Sequence, residues 1–230
     1  MQVLTNESYI ATRKKLGERA PFVGLLVLAG ATVLLFVKPA WTWYVMLLIW
    51  VGFVISIIGT YFGDRFVGVL AHHKKVPEAL KGLDSTYALL VYRTPIPFVL
   101  VGPGGVTTIT VRSQGGTVSY DGKRWRQRQK MSFFRRVAGQ ETIGQPDRLA
   151  EAEAQSIRDY LRSRLPEGVE VPVQPLVMFV DPQVQLTAES SPVPALRAAD
   201  VKRWLRKEGR QSKLADEVLK QLYATFSIEV

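Results

Sequence analysis

Two long apolar runs dominate the first sixty residues. Pro21 to Val37 reads PFVGLLVLAGATVLLFV, without a charge, and Trp41 to Phe62 reads WTWYVMLLIWVGFVISIIGTYF. A helix rises about 1.5 Å per residue, so a hydrocarbon layer of about 30 Å takes about 20 residues. The pattern predicts a two-helix transmembrane hairpin over 21–62, with spans at 21–37 and 41–62. A polar segment, 1–20, precedes it, and a soluble domain, 63–230, follows. Trp41, Trp43 and Tyr44 at one end, and Tyr61 with Phe62 at the other, suit the two membrane interfaces. Gly24, Ala29 and Gly30 are small enough to let spans approach closely.

Beyond the hairpin the pattern shortens. Helix continues toward Gly82, with Pro77 marking a break or a fresh start. Runs of β character follow at Tyr87–Tyr92, Phe98–Val101, Val106–Val111 and Gly116–Tyr120. Gly102-Pro103-Gly104-Gly105 reads as a turn between the second and third. Asp121-Gly122 predicts a two-residue β-hairpin that pairs Gly116–Tyr120 with Lys123–Arg128. A helix is expected from Pro146 to Leu165, opened by proline and acids and closed by arginines. Strands at Val171–Val180 and Val184–Ala188 and helices at Ala198–Glu208 and Lys213–Thr225 complete an α/β arrangement: a mixed sheet flanked by helices.

Composition removes several chemistries. With no cysteine there is no disulfide, thiolate metal site or cysteine nucleophile, and only His72 and His73 supply imidazole. The net charge is +10, and residues 63–230 keep 25 of the 30 Lys/Arg and 18 of the 20 Asp/Glu. Arg13, Lys14, Lys15 and Arg19 before the first span, and Arg65, Lys74 and Lys75 after the second, outnumber Lys38 in the connector. The positive-inside rule then places both termini in the cytoplasm of a multi-pass protein of the cell's inner membrane.

The densest charge is Lys123, Arg124, Arg126, Arg128, Lys130, Arg135 and Arg136, interleaved with Trp125, Phe133 and Phe134. On a strand, Lys123 and Trp125 share one face and the three arginines 124, 126 and 128 the other. Such a row suits nucleic-acid phosphates, anionic lipid headgroups, or a solvated edge that discourages edge-to-edge pairing. A second basic set, Lys202, Arg203, Arg206, Lys207 and Arg210, lies on the Ala198 helix, with 203, 206, 207 and 210 on one face. His72-His73 beside Lys74-Lys75 reads either as a pH-sensitive patch or as a solvated turn.

Glu78 to Asp84, then IPFVLVGPGGVTTITVRSQGGTVSYDGKRW from Ile96 to Trp125, resembles the nuclease-related domain called NERD, a relative of the restriction-endonuclease-like fold. The likeness runs over roughly 70–190, where the Pro146 helix and Met178–Pro182 match the closing helix and strand. The family's pattern is a Glu on a leading helix, an Asp before a strand, Gly-Pro-x-Gly, and a strand ending in Glu-x-Lys. Converging carboxylates there hold Mg²⁺, which activates water at a phosphate. Here the leading Glu falls on Glu78, the Asp on Pro97, and the Glu and Lys on Thr110 and Arg112. The resemblance therefore implies a membrane-anchored pseudoenzyme, a binding or scaffolding module with no catalytic or metal site and no cofactor. The alternative is a divergent nuclease of DNA or RNA that keeps Mg²⁺ through Glu78 and other ligands.

Overall fold

The computed structural model describes residues 1–68, 71–128, 143–166, 168–211 and 213–228, which fall into two compact units. One is a helical hairpin. Helix α1 spans Glu7–Val37, a short 3-10 turn Pro39–Trp41 reverses the chain, and α2 spans Thr42–Phe66. Both are long and apolar enough to cross a membrane.

The two helices meet through small residues in a regular phase. Ile10, Gly17, Gly24 and Ala31 are buried at every seventh position of α1, and Val45, Gly52, Gly59 and Phe66 at every seventh of α2. A period of seven keeps one seam facing its partner along the whole contact. A Cβ on Gly24 would lie 2.3 Å from Ser56 Oγ and 2.9 Å from the Gly52 carbonyl; one on Gly59 would lie 2.6 Å from the Pro21 ring. Pro21 lacks an N–H, so the Gly17 carbonyl loses its α-helical donor, and that oxygen faces Gly63 across the seam. Thr32, Ser56 and Thr60 return their hydroxyls to carbonyls one turn back, at 2.9–3.0 Å, which leaves no hydroxyl of the three unsatisfied. Of the small residues expected to pack, Gly24 lies in the seam while Ala29 and Gly30 are exposed. Their phase on the helix turns them away from α2.

The other unit is an α/β domain with a mixed sheet. Its strands are β1 (Gln2–Thr5), β2 (Ala88–Val91), β3 (Phe98–Gly102), β4 (Gly105–Arg112), β5 (Thr117–Tyr120), β6 (Trp125–Arg128), β7 (Val173–Phe179), β8 (Gln185–Thr187) and β9 (Ala195–Arg197). Its helices are α3 (His72–Leu80), α4 (Pro146–Arg162), α5 (Ala198–Gln211) and α6 (Asp216–Thr225), making six helices in the described chain with α1 and α2. The main sheet runs β1-β2-β3-β4-β7-β9; β2, β3 and β4 form an antiparallel meander, and β1, β7 and β9 join their neighbours in parallel. A smaller sheet runs β6-β5-β8.

Three features differ from the sequence reading. Residues 2–5 are a sheet strand, so the segment before the helical hairpin divides between the domain and α1, whose helix starts at Glu7. Helix α2 ends at Phe66 and α3 starts afresh at His72, with Pro77 inside it. The β5–β6 loop is Gly122-Lys123, one residue later than expected, because Tyr120 pairs with Trp125 and Asp121 N–H donates to the Arg124 carbonyl at 3.2 Å. Gly122 takes the positive φ of 87° that this turn needs at its first position.

The predicted Gly-Pro-Gly-Gly turn joins β3 to β4. Gly105 has φ of 114°, and a Cβ there would sit 2.5 Å from the Pro172 carbonyl, which accepts the Val106 N–H at 2.9 Å. On one face of the sheet, Leu90, Val99, Val101 and Val106 pack under Ala154 and Ile157 of α4 and Leu222 and Tyr223 of α6. On the other, Leu205 of α5 joins Tyr87, Leu100, Thr107 and Gln174 around a cavity of about 20 Å³, room for one water. A second core holds Val118, Trp125, Ala150, Val177 and Phe179. There Trp125 lies 5.2 Å from the Tyr120 ring and 6.1 Å from that of Phe179, and its indole N–H donates to Asp147 at 3.0 Å.

Candidate functional site

The motif positions fall at one end of the β3–β4 pair. Val99 pairs with Thr108 and Gly102 with Gly105; Pro97 comes just before β3, and Thr110 lies on β4 two residues past Thr108. The Pro97 carbonyl accepts the Tyr92 N–H at 2.8 Å, which closes the β2–β3 connection. Thr110 is 3% exposed, and its hydroxyl donates to the Glu153 carboxylate of α4. Arg112 ends the same strand, and its carbonyl accepts the Val180 N–H at 2.9 Å.

Glu78 does not join them. Its carboxylate is exposed on α3 and takes Lys75 at 2.8 Å, and the hydrogen bond and charge of that lysine hold it below the usual carboxylate range. Among the described residues no three His, Cys, Asp or Glu side chains gather where they could hold a metal ion.

Glu153 is the group that sequence reasoning missed. It reaches Thr110 from 43 residues away, through the packing of α4 on the sheet. A signal was present in the phase: Glu153 stands three after Ala150 and four before Ile157, both fully buried, so it shares the inward stripe of α4.

The basic row is carried on the exposed edge of the small sheet. Arg124, Arg126 and Arg128 alternate with buried Trp125 and half-buried Gln127, so the three guanidinium groups share the outer face as expected. Lys123 departs from expectation. It lies in the turn and is exposed, instead of sharing the inward face of Trp125. Asp121 organises the turn: its carboxylate accepts the N–H of Arg124 at 2.8 Å and of Lys123 at 3.1 Å, and pairs with Arg126 at 2.9 Å. Those backbone donors, with the arginine, hold Asp121 below the usual carboxylate range. Lys130, Arg135 and Arg136, with Phe133 and Phe134, lie outside the described residues.

The second basic set is divided by the fold. Lys202 and Arg206 donate to the carbonyls of Lys81 and Gly82, at 3.1 and 3.2 Å, just beyond the C-terminus of α3. Arg203 pairs with Asp200 at 3.0 Å, and the Arg210 side chain lies outside the described residues. Helix capping thus occupies Arg206, one of the four cations that sequence spacing assigned to one face, together with Lys202 from the same basic set. His72 and His73 open α3.

Comparison with known proteins finds no matching family model, no matching curated protein and no matching solved structure.

Proposed function

We propose that this chain is a membrane-anchored protein whose NERD-like, restriction-endonuclease-type domain binds or scaffolds at the cytoplasmic membrane face without cleaving nucleic acid. The observation that carries the binding reading is the pair Pro97 and Thr110. Pro97 precedes β3 and Thr110 lies near the end of β4, and these are the two positions where the resemblance calls for carboxylates. Pro97 offers no ligating side chain, and a threonine hydroxyl bound to Glu153 is a weak partner for Mg²⁺.

The anchor is supported by the outward side chains of the helical hairpin: Phe22 is 70% exposed, Phe36 80% and Trp43 78%. Among the described residues, those before Glu7 and those after His72 belong to one unit, whose strand β1 hydrogen-bonds to β2. A hydrogen-bonded sheet lies on one side of a bilayer, so both ends of the helical hairpin open to the same side. The charge bias makes that side the cytoplasm.

The domain fits the family order: a leading helix (α3), two strands joined by the glycine turn, and a closing helix and strand (α4 and β7). The exposed arginines of β6 are the surface it offers to an anionic partner. Glu153 favours the rival reading, a divergent metal-dependent nuclease, because it returns one carboxylate to the motif position.

The test uses the full chain, because β1 belongs to the sheet. Labelled single- and double-stranded DNA is incubated with it in Mg²⁺, in Mn²⁺ and in EDTA. No cleavage is expected. Metal-dependent cleavage that Glu153→Gln abolishes would replace the binding reading with the nuclease. Salt-sensitive retardation, weakened by Arg124→Gln, Arg126→Gln and Arg128→Gln together, would identify nucleic acid as the partner.

A further inference from the structure

We infer that the back of α1 is a binding track for one anionic phospholipid, a proposal that rests on the membrane reading above. At 100° per residue, Lys15, Arg19, Phe22, Leu26, Gly30 and Val33 fall within an arc of about 80°. All six are exposed. The buried positions Gly17, Gly24 and Ala31 lie on the opposite side of the same helix, against α2. The track is therefore a continuous helical face turned away from the seam, cationic for its first turn and apolar thereafter.

The two cations at its head differ from their neighbours. Arg13 stacks on the Tyr9 ring at 3.2 Å, Arg65 on the Tyr61 ring at 4.2 Å, and Lys14 pairs with Glu18 at 3.8 Å. Among the described residues no acidic side chain pairs with Lys15 or Arg19. They stand about 9 Å and 3 Å before Pro21 along the helix axis. A headgroup layer is several ångströms deep beyond the hydrocarbon, so the two side chains bracket the phosphate level.

Below them, Gly30 interrupts the bulky lipid-facing side chains. A Cβ there would meet nothing within 4 Å. That notch between Leu26 and Val33 gives an acyl chain a place to lie against the helix backbone. A phosphate with a net negative charge answers both ammonium and guanidinium, and a zwitterionic headgroup answers them less well. The occupant is thus a phospholipid of net negative charge such as phosphatidylglycerol, with the phosphate between Lys15 and Arg19.

The test reconstitutes the full chain in lipid nanodiscs of phosphatidylcholine containing one-fifth phosphatidylglycerol, then measures by native mass spectrometry which lipid stays bound on release. Retained phosphatidylglycerol is expected, and Lys15→Gln with Arg19→Gln is expected to lower its preference by roughly 25-fold, a factor of about five per cation. Gly30→Leu should shorten retention of either lipid while leaving the headgroup preference in place. Three results would overturn the site: no headgroup preference in the unaltered chain, full preference in the double variant, or loss of preference only when Arg124, Arg126 and Arg128 become Gln. Extraction in alkaline carbonate separates the two claims. A chain released from vesicles loses the membrane reading and the lipid site together, whereas a chain that stays inserted without a preference loses the site alone.

Discussion

The two units pack in opposite senses. In the α/β domain the largest side chains are inside: Phe98, Phe179, Leu89 and Leu100 are at most 1% exposed. In the helical hairpin the middle of the buried seam is glycine and alanine, with Ile10, Val45 and Phe66 toward its ends, and Phe22, Phe36, Trp43 and Trp50 point out, each at least 64% exposed. Water makes the first arrangement favourable, because removing apolar area from it is the main driving force. That force does not act between helices already in lipid. On the membrane reading proposed above, close backbone approach and dispersion hold the pair, so small residues mark the contact and bulky ones face lipid. The same alphabet is read with its sign reversed across a boundary at Glu7 and His72.

The largest test of this contrast removes one phenyl group from each unit. Phe179 is fully buried against Trp125, and Phe179→Ala is expected to cost the domain about 3–5 kcal/mol, read as a lower denaturation midpoint. Phe36→Ala, the same chemical change on the helical hairpin, should alter helix pairing by less than about 0.5 kcal/mol. Equal losses at the two sites would mean that Phe36 is covered by protein and that the reversed packing is not real.

The next test adds volume instead. Gly24→Leu places a side chain where even a Cβ meets Ser56 Oγ at 2.3 Å, so the helices must part or shift, at about 1–3 kcal/mol. Gly30→Leu meets open space and should be neutral for helix pairing. The chain has no cysteine, so spin labels on cysteines introduced at exposed Leu25 and Leu48 report the helix separation without background. A longer distance in Gly24→Leu alone supports the seam, and an unchanged distance in both variants removes it.

The elements that rest on local pattern were legible in the sequence. Apolar runs around the glycine turn marked β3 and β4, a continuous apolar run marked β7, the stretch opened by Pro146 and acids marked α4, and the length of the first two runs marked α1 and α2. What depended on distant partners was not. QVLT is too short to stand out, and it becomes β1 only because Gln2 finds Ala88 and Thr5 finds Val91. Glu153 reads as one acid among several on α4 until the sheet beneath it places Thr110 at its carboxylate. Lys202 and Arg206 look like surface charge until α3 ends beside them. The glycines lie between these cases. Gly24 and Gly30 are chemically identical, and only the seven-residue spacing from Gly17 to Gly24 to Ala31 separates the seam from the back of the helix.

The smallest test concerns the watered surface of the domain. Asp121 and Glu78 are both exposed carboxylates held below their usual range, but for different first reasons: backbone N–H groups at Asp121, and the Lys75 side chain at Glu78. A depressed carboxylate contributes stability above its unfolded pKa, about 4 for either residue type. It loses that contribution as pH falls through the folded value. The amide protons of Lys123 and Arg124 should therefore titrate by NMR with a midpoint below the ordinary aspartate value, and Asp121→Asn should remove the titration. Raising the salt screens the long flexible Lys75–Glu78 pair and should return Glu78 toward its ordinary value. Asp121 should move less, because its main donors are fixed in the β5–β6 turn. If both carboxylates shift equally with salt, the Asp121 turn is held by the ion pair with Arg126 and not by a backbone cage.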